Sequence, residues 1–478
     1  MKAEKEGQQM KAMSVLDAKE WAVKTFGEAE LGDPRRGDRV VQVAAAMAED
    51  PAASFPTQIS NPSALHAAYR LFNNEAISLE QLQEPHWQHT REQARQRQQV
   101  LLVQDMTDLN YSKHPKTKGL GPIGRSKDAQ GFFVQSVLAV DAQTAEMLGL
   151  AYEEPFVRQP VPQGETHAQR LQRDRESLVW ERAVQAIGPA LSEAQWIHVG
   201  DRGADIFRLL QHIERQGCDF LIRAAQDRCV QAEQREEEHE EVTRLFQLAR
   251  SLPTQDNRVK DLPRLHERSA RQASLQISWS NMQVLPPKNG GALCKQAVQT
   301  WVVRVWEPEP PEGEEPLEWV LLPSVPVESV EQAWQCADWY AMRWTVEDFH
   351  RCLKTGCSLE KRHLQSYQDL TRLLGLVGPL AVRLLLLRSC ARQTPSAPAT
   401  SIVPALWLRV LELFTNLPLY SLELADHLWR AIARLGGYRG YRGDGPPGWQ
   451  TLWRGWARLR DVLQGVQLTL QFLPLLLV

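Results

Sequence analysis

Between residues 15 and 98 apolar positions recur at i, i+3 and i+4 in four stretches: VLDAKEWAVKTFG, RRGDRVVQVAAAMAED, SALHAAYRLFNNE and LEQLQEPHWQHTREQARQR. That period predicts helices, and GDP at 32–34 and NPS at 61–63 mark turns between them. The pattern then shortens. VLLVQD (100–105), FFVQSVLAVD (132–141) and MLGLAYEE (147–154) read as strands, the last two as antiparallel neighbours. A helix over 170–188, a strand over 194–201, a helix over 205–217 and a strand over 219–224 follow. Three meandering strands and then strand–helix–strand predict an α/β core with a mixed sheet. From 226 to about 316 the composition changes to Glu-rich runs and alternating segments, ASLQISW (273–279) and AVQTWVVRVW (297–306), which read as an insertion with its own sheet. LEWVLLPS (317–324) resumes the core as a strand, and after 390 the chain is helical again.

The segment 331–356, EQAWQCADWYAMRWTVEDFHRCLKTG, reads as one helix. At about 100° per residue, Tyr340, Arg343, Glu347 and Lys354 fall within roughly 60° of one face. Asp338 points almost the opposite way, and Asp348 is displaced by roughly 100° from Glu347. A carboxylate suits a metal ion and the other three groups suit phosphate oxygens. The same stripe also fits a solvated helix face with i,i+4 ion pairs.

Asp105 and Asp201 each end a predicted strand, where α/β folds place their chemistry. With Glu347 they make three carboxylates from separate elements, a set able to hold two hard divalent cations that clamp the attacking and leaving oxygens of a phosphodiester. The competing account of any one strand-end Asp is a turn or N-cap residue, and Asp108 and Asp205 fit that account. GLGPIG (119–124) matches a dinucleotide-binding pattern, but it lies far past the strand, contains Pro122 and leads into polar RSKDAQ, so no nucleotide cofactor is expected. A loop with Lys113, Lys116, Lys118, Arg125 and Lys127 suits a nucleic-acid backbone better.

Composition narrows the class. With 478 residues, two to three domains are expected. Hydrophobic residues at 43% and charged residues at 24% fit a soluble globular protein. A net charge of −3 argues against a wholly basic nucleic-acid binder but hides local patches. Seven Cys without a CxxC fit a reducing compartment with neither disulfide scaffold nor zinc site. The N-terminus lacks an apolar signal region, and LLGLVGPLAVRLLLL (373–387), which carries Arg383, reads as a buried helix, so a cytoplasmic protein without a membrane span is expected. Over 421–460, seven Arg stand against three acids, interleaved with aromatics. The tryptophans there read as packing and the arginines as free to meet phosphate or a partner.

The spacing Tyr340, Arg343, Glu347, Lys354 resembles the YREK signature of DDE transposases of bacterial insertion sequences, in the group that includes the transposon-five transposase. LGDPRR (31–36), AAYRLF (67–72), VQDMTDLNYS (103–112), GFFVQSVL (131–138), VGDRGADI (199–206) and YAMRWTVEDFHRCLKTG (340–356) resemble that group in the same order, over nearly the whole chain. The resemblance implies an RNase H-like α/β core with a mixed β-sheet and a β-rich insertion, flanked by helical domains: 1–85 for DNA binding, 86–389 for catalysis with the insertion at about 226–316, and 390–478 for dimerisation. It implies that Asp105, Asp201 and Glu347 bind magnesium, or manganese in its place. Tyr340, Arg343 and Lys354 would hold phosphates, and Trp319, just before the last core strand, would stack on a flipped base. Arg35, Arg36, Arg39 and Arg70 would recognise the element's inverted-repeat ends. The activity implied is cut-and-paste transposition on double-stranded DNA by a homodimer: nicking, hairpin formation and resolution, then strand transfer into target DNA. A catalytically silent end-binding regulator is the alternative. Gly203 departs from the Glu usual in that group after the second Asp. The Glu clusters at 233–241 and 307–318 are expected on the outer surface, away from DNA.

Overall fold

The computed structural model describes residues 17–124, 128–166, 169–170, 173–190, 193–232, 242–262, 271–288, 294–393, 395–415, 417, 419–441 and 445–476. Arg125, Lys127 and the acidic cluster 233–241 lie outside them. The chain forms two compact units. One comprises Met1–Trp87, Lys113–Leu120 and Asp348–Val478, the other Gln88–Ser112 and Gly121–Glu347. The helical segments at the two ends, expected as separate first and last domains, therefore belong to one unit.

In that helical unit, α1 (Ala18–Phe26), α2 (Pro34–Glu49) and α3 (Pro62–Phe72) start as their sequences predict. Asp17, Asp33 and Asn61 each cap a helix by accepting a backbone N–H, and Pro34 and Pro62 occupy first-turn positions where no N–H is needed. Helix α4 (Leu79–Arg95) follows. The apolar helix α10 (Tyr367–Gln393) is the spine of the helical unit. It is long and apolar enough to cross a membrane, yet 89% of its apolar window is buried in protein, which marks a core helix. Arg383 of α10 donates to the Ala48 carbonyl at 2.7 Å, with the Trp21 and Trp453 rings 5.4 and 5.1 Å away. Three parts of the sequence thus meet on one buried guanidinium, whose burial pulls its pKa down to about 10. Trp429, Trp449, Trp453 and Trp456 are buried, as packing residues should be.

The second unit is built on one sheet. Strands β1 (Gln99–Asn110), β2 (Gln130–Asp141) and β3 (Met147–Phe156) form an antiparallel meander. Helix α5 (Glu176–Ile187) leads to β4 (Gln195–Gly200), which adds parallel to β1, and α6 (Phe207–Arg215) leads to β5 (Asp219–Arg223), parallel to β4. The order β3-β2-β1-β4-β5 is an RNase H-like core. Alternation along β1 puts Val100 and Leu102 into a core shared with Trp180 and Phe207 of the helices. Asp105 therefore belongs to the opposite face.

The insertion corrects one expectation. Its strands do not make a separate sheet. β6 (Cys229–Ala232), β7 (Val242–Arg244), β8 (Asp256–Leu262), β9 (Arg271–Val284) and β10 (Val298–Trp306) continue the core sheet through β11 (Glu318–Pro323), which pairs antiparallel with β5. Helix α7 (Leu245–Ser251) packs within it. The 307–318 acids are not all outward: Glu307 is buried on Arg271 at 2.5 Å, and Glu318 pairs with Arg250 and Arg304. Strong Arg partners explain why these carboxylates leave solvent. GLGPIG makes a two-residue strand, Gly121–Pro122, against Gln130 and Gly131, and no helix opens there among the described residues.

The expected single helix 331–356 is broken in two places. Helix α8 (Val330–Ala341) opens with a capping box between Ser329 and Gln332. It ends where Met342 and Arg343 tighten to i→i−3 bonds onto the Trp339 and Tyr340 carbonyls. Helix α9 (Trp344–Arg351) then passes into a π-helical turn, Cys352–Gly356, closed by Cys357 N–H donating to Cys352 O at 2.8 Å. No Gly or Pro in AMRWT marks the first break, so local sequence could not announce it.

Candidate active site

Register brings the first two acids together. Gln104 of β1 pairs with Gly200 of β4, and the parallel ladder stops there. Asp105 and Asp201 are the next residues on two strands about 4.8 Å apart. Asp105 is not a strand end, as the sequence suggested, because β1 continues to Asn110 against β2. It sits where β1 loses its parallel neighbour. Asp201 caps a 3-10 turn, Arg202–Ala204, its Oδ1 accepting the Gly203 N–H at 2.7 Å. A Cβ on Gly203 would lie 3.0 Å from that oxygen, so the missing side chain gives the carboxylate room to turn back.

Arg343, at the joint between α8 and α9, ties the third acid to the first. Its guanidinium donates to Asp105 Oδ2 at 3.1 Å and to Glu347 Oε1 at 2.5 Å. Burial works against its charge, while Tyr340, Glu347 and Asp105 hold it protonated. Arg343 Nε is buried without a hydrogen-bond acceptor. Burial, and then the neighbouring Asp201 charge, push the Asp105 carboxyl up to about 7, against the pull of Arg343 and of the Met106 N–H. Three carboxylates and one guanidinium thus share one locus. The donor set is all oxygen, which fits a hard divalent cation. Among the described residues, though, no three His, Cys, Asp or Glu side chains lie close enough to hold one ion as placed. The guanidinium bridges two of the acids.

Tyr340 is buried, its phenol pKa raised chiefly by that burial against the pull of the Arg343 and Arg223 charges. Trp319 meets it edge-on, ring centroids 5.0 Å apart. Trp319 is the second residue of β11, not a residue ahead of the strand. Together with Trp334, Trp344, Leu275 and Val305 it lines a cavity of about 440 Å³. Sequence reasoning missed Trp334, Trp344 and Arg223. Trp344 directly follows Arg343 in sequence, and the structure leaves it 50% exposed, unusual for so large an apolar residue.

The rejected acids have other partners. Asp338 pairs with Arg258 and Lys260 of β8, and Asp348 with Arg388 and Arg351. Asp108 lies within β1 rather than in a turn. Asp205 accepts the Ala225 and Gln226 N–H groups and pairs with Arg228, which anchors the root of the insertion. Lys354 lies in the π-helical turn, within the helical unit. There too, Arg35 is almost fully exposed beside Asp33, Arg36 donates to the Leu31 carbonyl, Arg39 is half-buried and Arg70 is exposed. Lys113, Lys116 and Lys118 are exposed.

An RNase H-like sheet with acids gathered where its parallel ladder ends, joined to a helical unit with outward arginines, defines an α/β enzyme class fitted to a polyanionic substrate. Family comparison makes the class particular. Residues 127–384 match the transposase DDE domain and residues 18–77 the transposase DNA-binding domain. The first match spans more than half of the chain, and the protein belongs to the DDE transposases. Arg35, Arg36, Arg39 and Arg70 all fall within the DNA-binding match. Among solved structures the chain is similar to a piggyBac transposase synaptic complex with hairpin DNA, at 10% identity over 80% of this chain and 75% of that one, with a TM-score of 0.37. So distant a likeness carries no argument about function.

Proposed function

We propose that the protein is a cut-and-paste transposase of the insertion-sequence type whose reaction centre is Asp105, Asp201 and Glu347. The observation that carries this is the convergence of those acids: Asp105 feels both other carboxylates, and Glu347 shares a guanidinium with it. These three side chains would hold magnesium, or manganese in its place. When bound, the cation supplies Lewis-acid stabilisation of the charge that builds on phosphodiester oxygens. The rest of the work belongs to the chain itself. Arg343 grips a phosphate with two parallel N–H donors, and Tyr340 and Lys354 add further donors. Trp319 offers an aromatic face to an extruded base, which lowers the cost of bending a cut end into a hairpin. Arg35, Arg36, Arg39 and Arg70 contact the inverted-repeat ends. The C-terminal helices pair two protomers across two ends, and the protein works in the cytoplasm.

Incubating purified protein with DNA carrying the repeats that flank its reading frame, with magnesium, tests this proposal. Nicks at the repeat termini, then hairpins and joined products, are expected. Binding of the ends without any metal-dependent cleavage would instead establish a silent, regulatory homologue.

A further inference from the structure

We propose that Arg343 is an internal counter-ion that holds the acid centre closed until a DNA phosphate draws it away, so that metal binding and DNA binding are coupled through one side chain. The inference rests on the reading that these acids take a metal, and adds how access to them is controlled.

Arg343 occupies Asp105 Oδ2 and Glu347 Oε1 at 3.1 and 2.5 Å. Asp201 Oδ1 is turned back onto the Gly203 N–H at 2.7 Å. Asp105 Oδ1 accepts the Met106 N–H at 2.8 Å, so both oxygens of Asp105 and one each of Glu347 and Asp201 are engaged inside the protein. A divalent cation and the guanidinium compete for the same two oxygens, and two like charges cannot share them cheaply. A phosphate changes the balance, because a guanidinium matches its geometry with two parallel N–H donors. Arg343 is placed to make that exchange. Its backbone lies at the irregular joint between α8 and α9, where the N–H bonds to Tyr340 O instead of continuing the helix. Its Nε is unsatisfied in the closed position. The Tyr340 ring centroid lies 5.8 Å from its guanidinium carbon, and Trp319 packs edge-on against that ring.

By linkage, a phosphate that removes Arg343 tightens metal binding, and metal tightens DNA binding by the same factor. The test is calorimetric titration of Mn²⁺ into the full-length protein, with and without a short DNA duplex. For the native chain the duplex should tighten Mn²⁺ binding on the order of tenfold. Arg343→Gln should show that tighter binding without DNA, and adding the duplex should then change little. Thermal unfolding with and without Mn²⁺ gives a second readout should the variant be weakly folded: Mn²⁺ should raise the Tm of Arg343→Gln more than that of the native chain. Equal or weaker Mn²⁺ binding by Arg343→Gln, or no effect of DNA on the native chain, overturns the proposal. Asp105→Asn and Glu347→Gln separate the two ideas. If neither reduces Mn²⁺ binding in any state, the metal reading itself fails. If both reduce it while Arg343→Gln leaves it unchanged, only the counter-ion role fails.

Discussion

Two Asp–Arg pairs in the sheet unit look alike in sequence and differ in kind. Asp205 accepts two backbone N–H groups and both ends of Arg228, and its side chain is fully buried. Nothing about it is left unsatisfied. Asp105 has one N–H from its own neighbour, shares Arg343 with Glu347, and faces Asp201. Its carboxyl is pushed up to about 7 by burial and by that neighbour. A carboxylate that the fold satisfies is architecture, whereas one that the fold buries and leaves short of positive charge is set aside for a ligand.

The two aspartates should differ most in catalysis. Asp105→Asn or Asp201→Asn should lower cleavage of repeat-end DNA by about a thousandfold or more, the loss of roughly 4 kcal/mol of transition-state stabilisation, while end binding by filter or gel assay stays near normal. Asp205→Asn should do the reverse. It leaves Arg228 buried without its counter-charge, and denaturant unfolding should show a loss on the order of 3 kcal/mol, with cleavage per folded molecule retained.

The pH dependence sharpens the same contrast. Asp105 binds its proton far more tightly when folded, at about 7, than at its ordinary 3.8. In metal-free buffer its contribution to stability therefore falls as pH rises from about 4 to about 7 and stays lost above that. Asp105→Asn should remove this slope and raise the Tm at pH 8. Magnesium, which needs the ionised carboxylate, should raise the native Tm more at pH 8 than at pH 6. The smallest effect is expected at Asp338, whose pair with Arg258 is largely exposed. Asp338→Asn should change stability by less than about 1 kcal/mol and leave cleavage within about twofold.

Much of this arrangement was legible in the sequence, for identifiable reasons. Strand periodicity located β4 and the apolar first half of β1, so Asp201 was rightly placed after a strand, whereas Asp105 lies inside a strand that runs on to Asn110. Helical phase separated Glu347 from Asp338 and Asp348, and each excluded acid does find a different partner. Phase failed where the backbone departs from 3.6 residues per turn. The break at Met342–Arg343 and the π-helical turn at Cys352–Gly356 invalidate a constant 100° step, so the common face assumed for Tyr340, Arg343, Glu347 and Lys354 was an idealisation. Partnerships across long sequence distances were out of reach as well. Nothing local says that Glu307 is buried on Arg271, that the insertion extends the core sheet through β11, or that Arg383 gathers both ends of the chain into one unit.

The acid centre stands or falls on the third carboxylate, and two adjacent residues of α9 provide the control. Magnesium-dependent nicking of repeat-end DNA, measured side by side for Glu347→Gln and Asp348→Asn, tests it most directly. No detectable nicking by Glu347→Gln and near-native nicking by Asp348→Asn are expected, once both are shown to be folded. Near-native nicking by Glu347→Gln would contradict it.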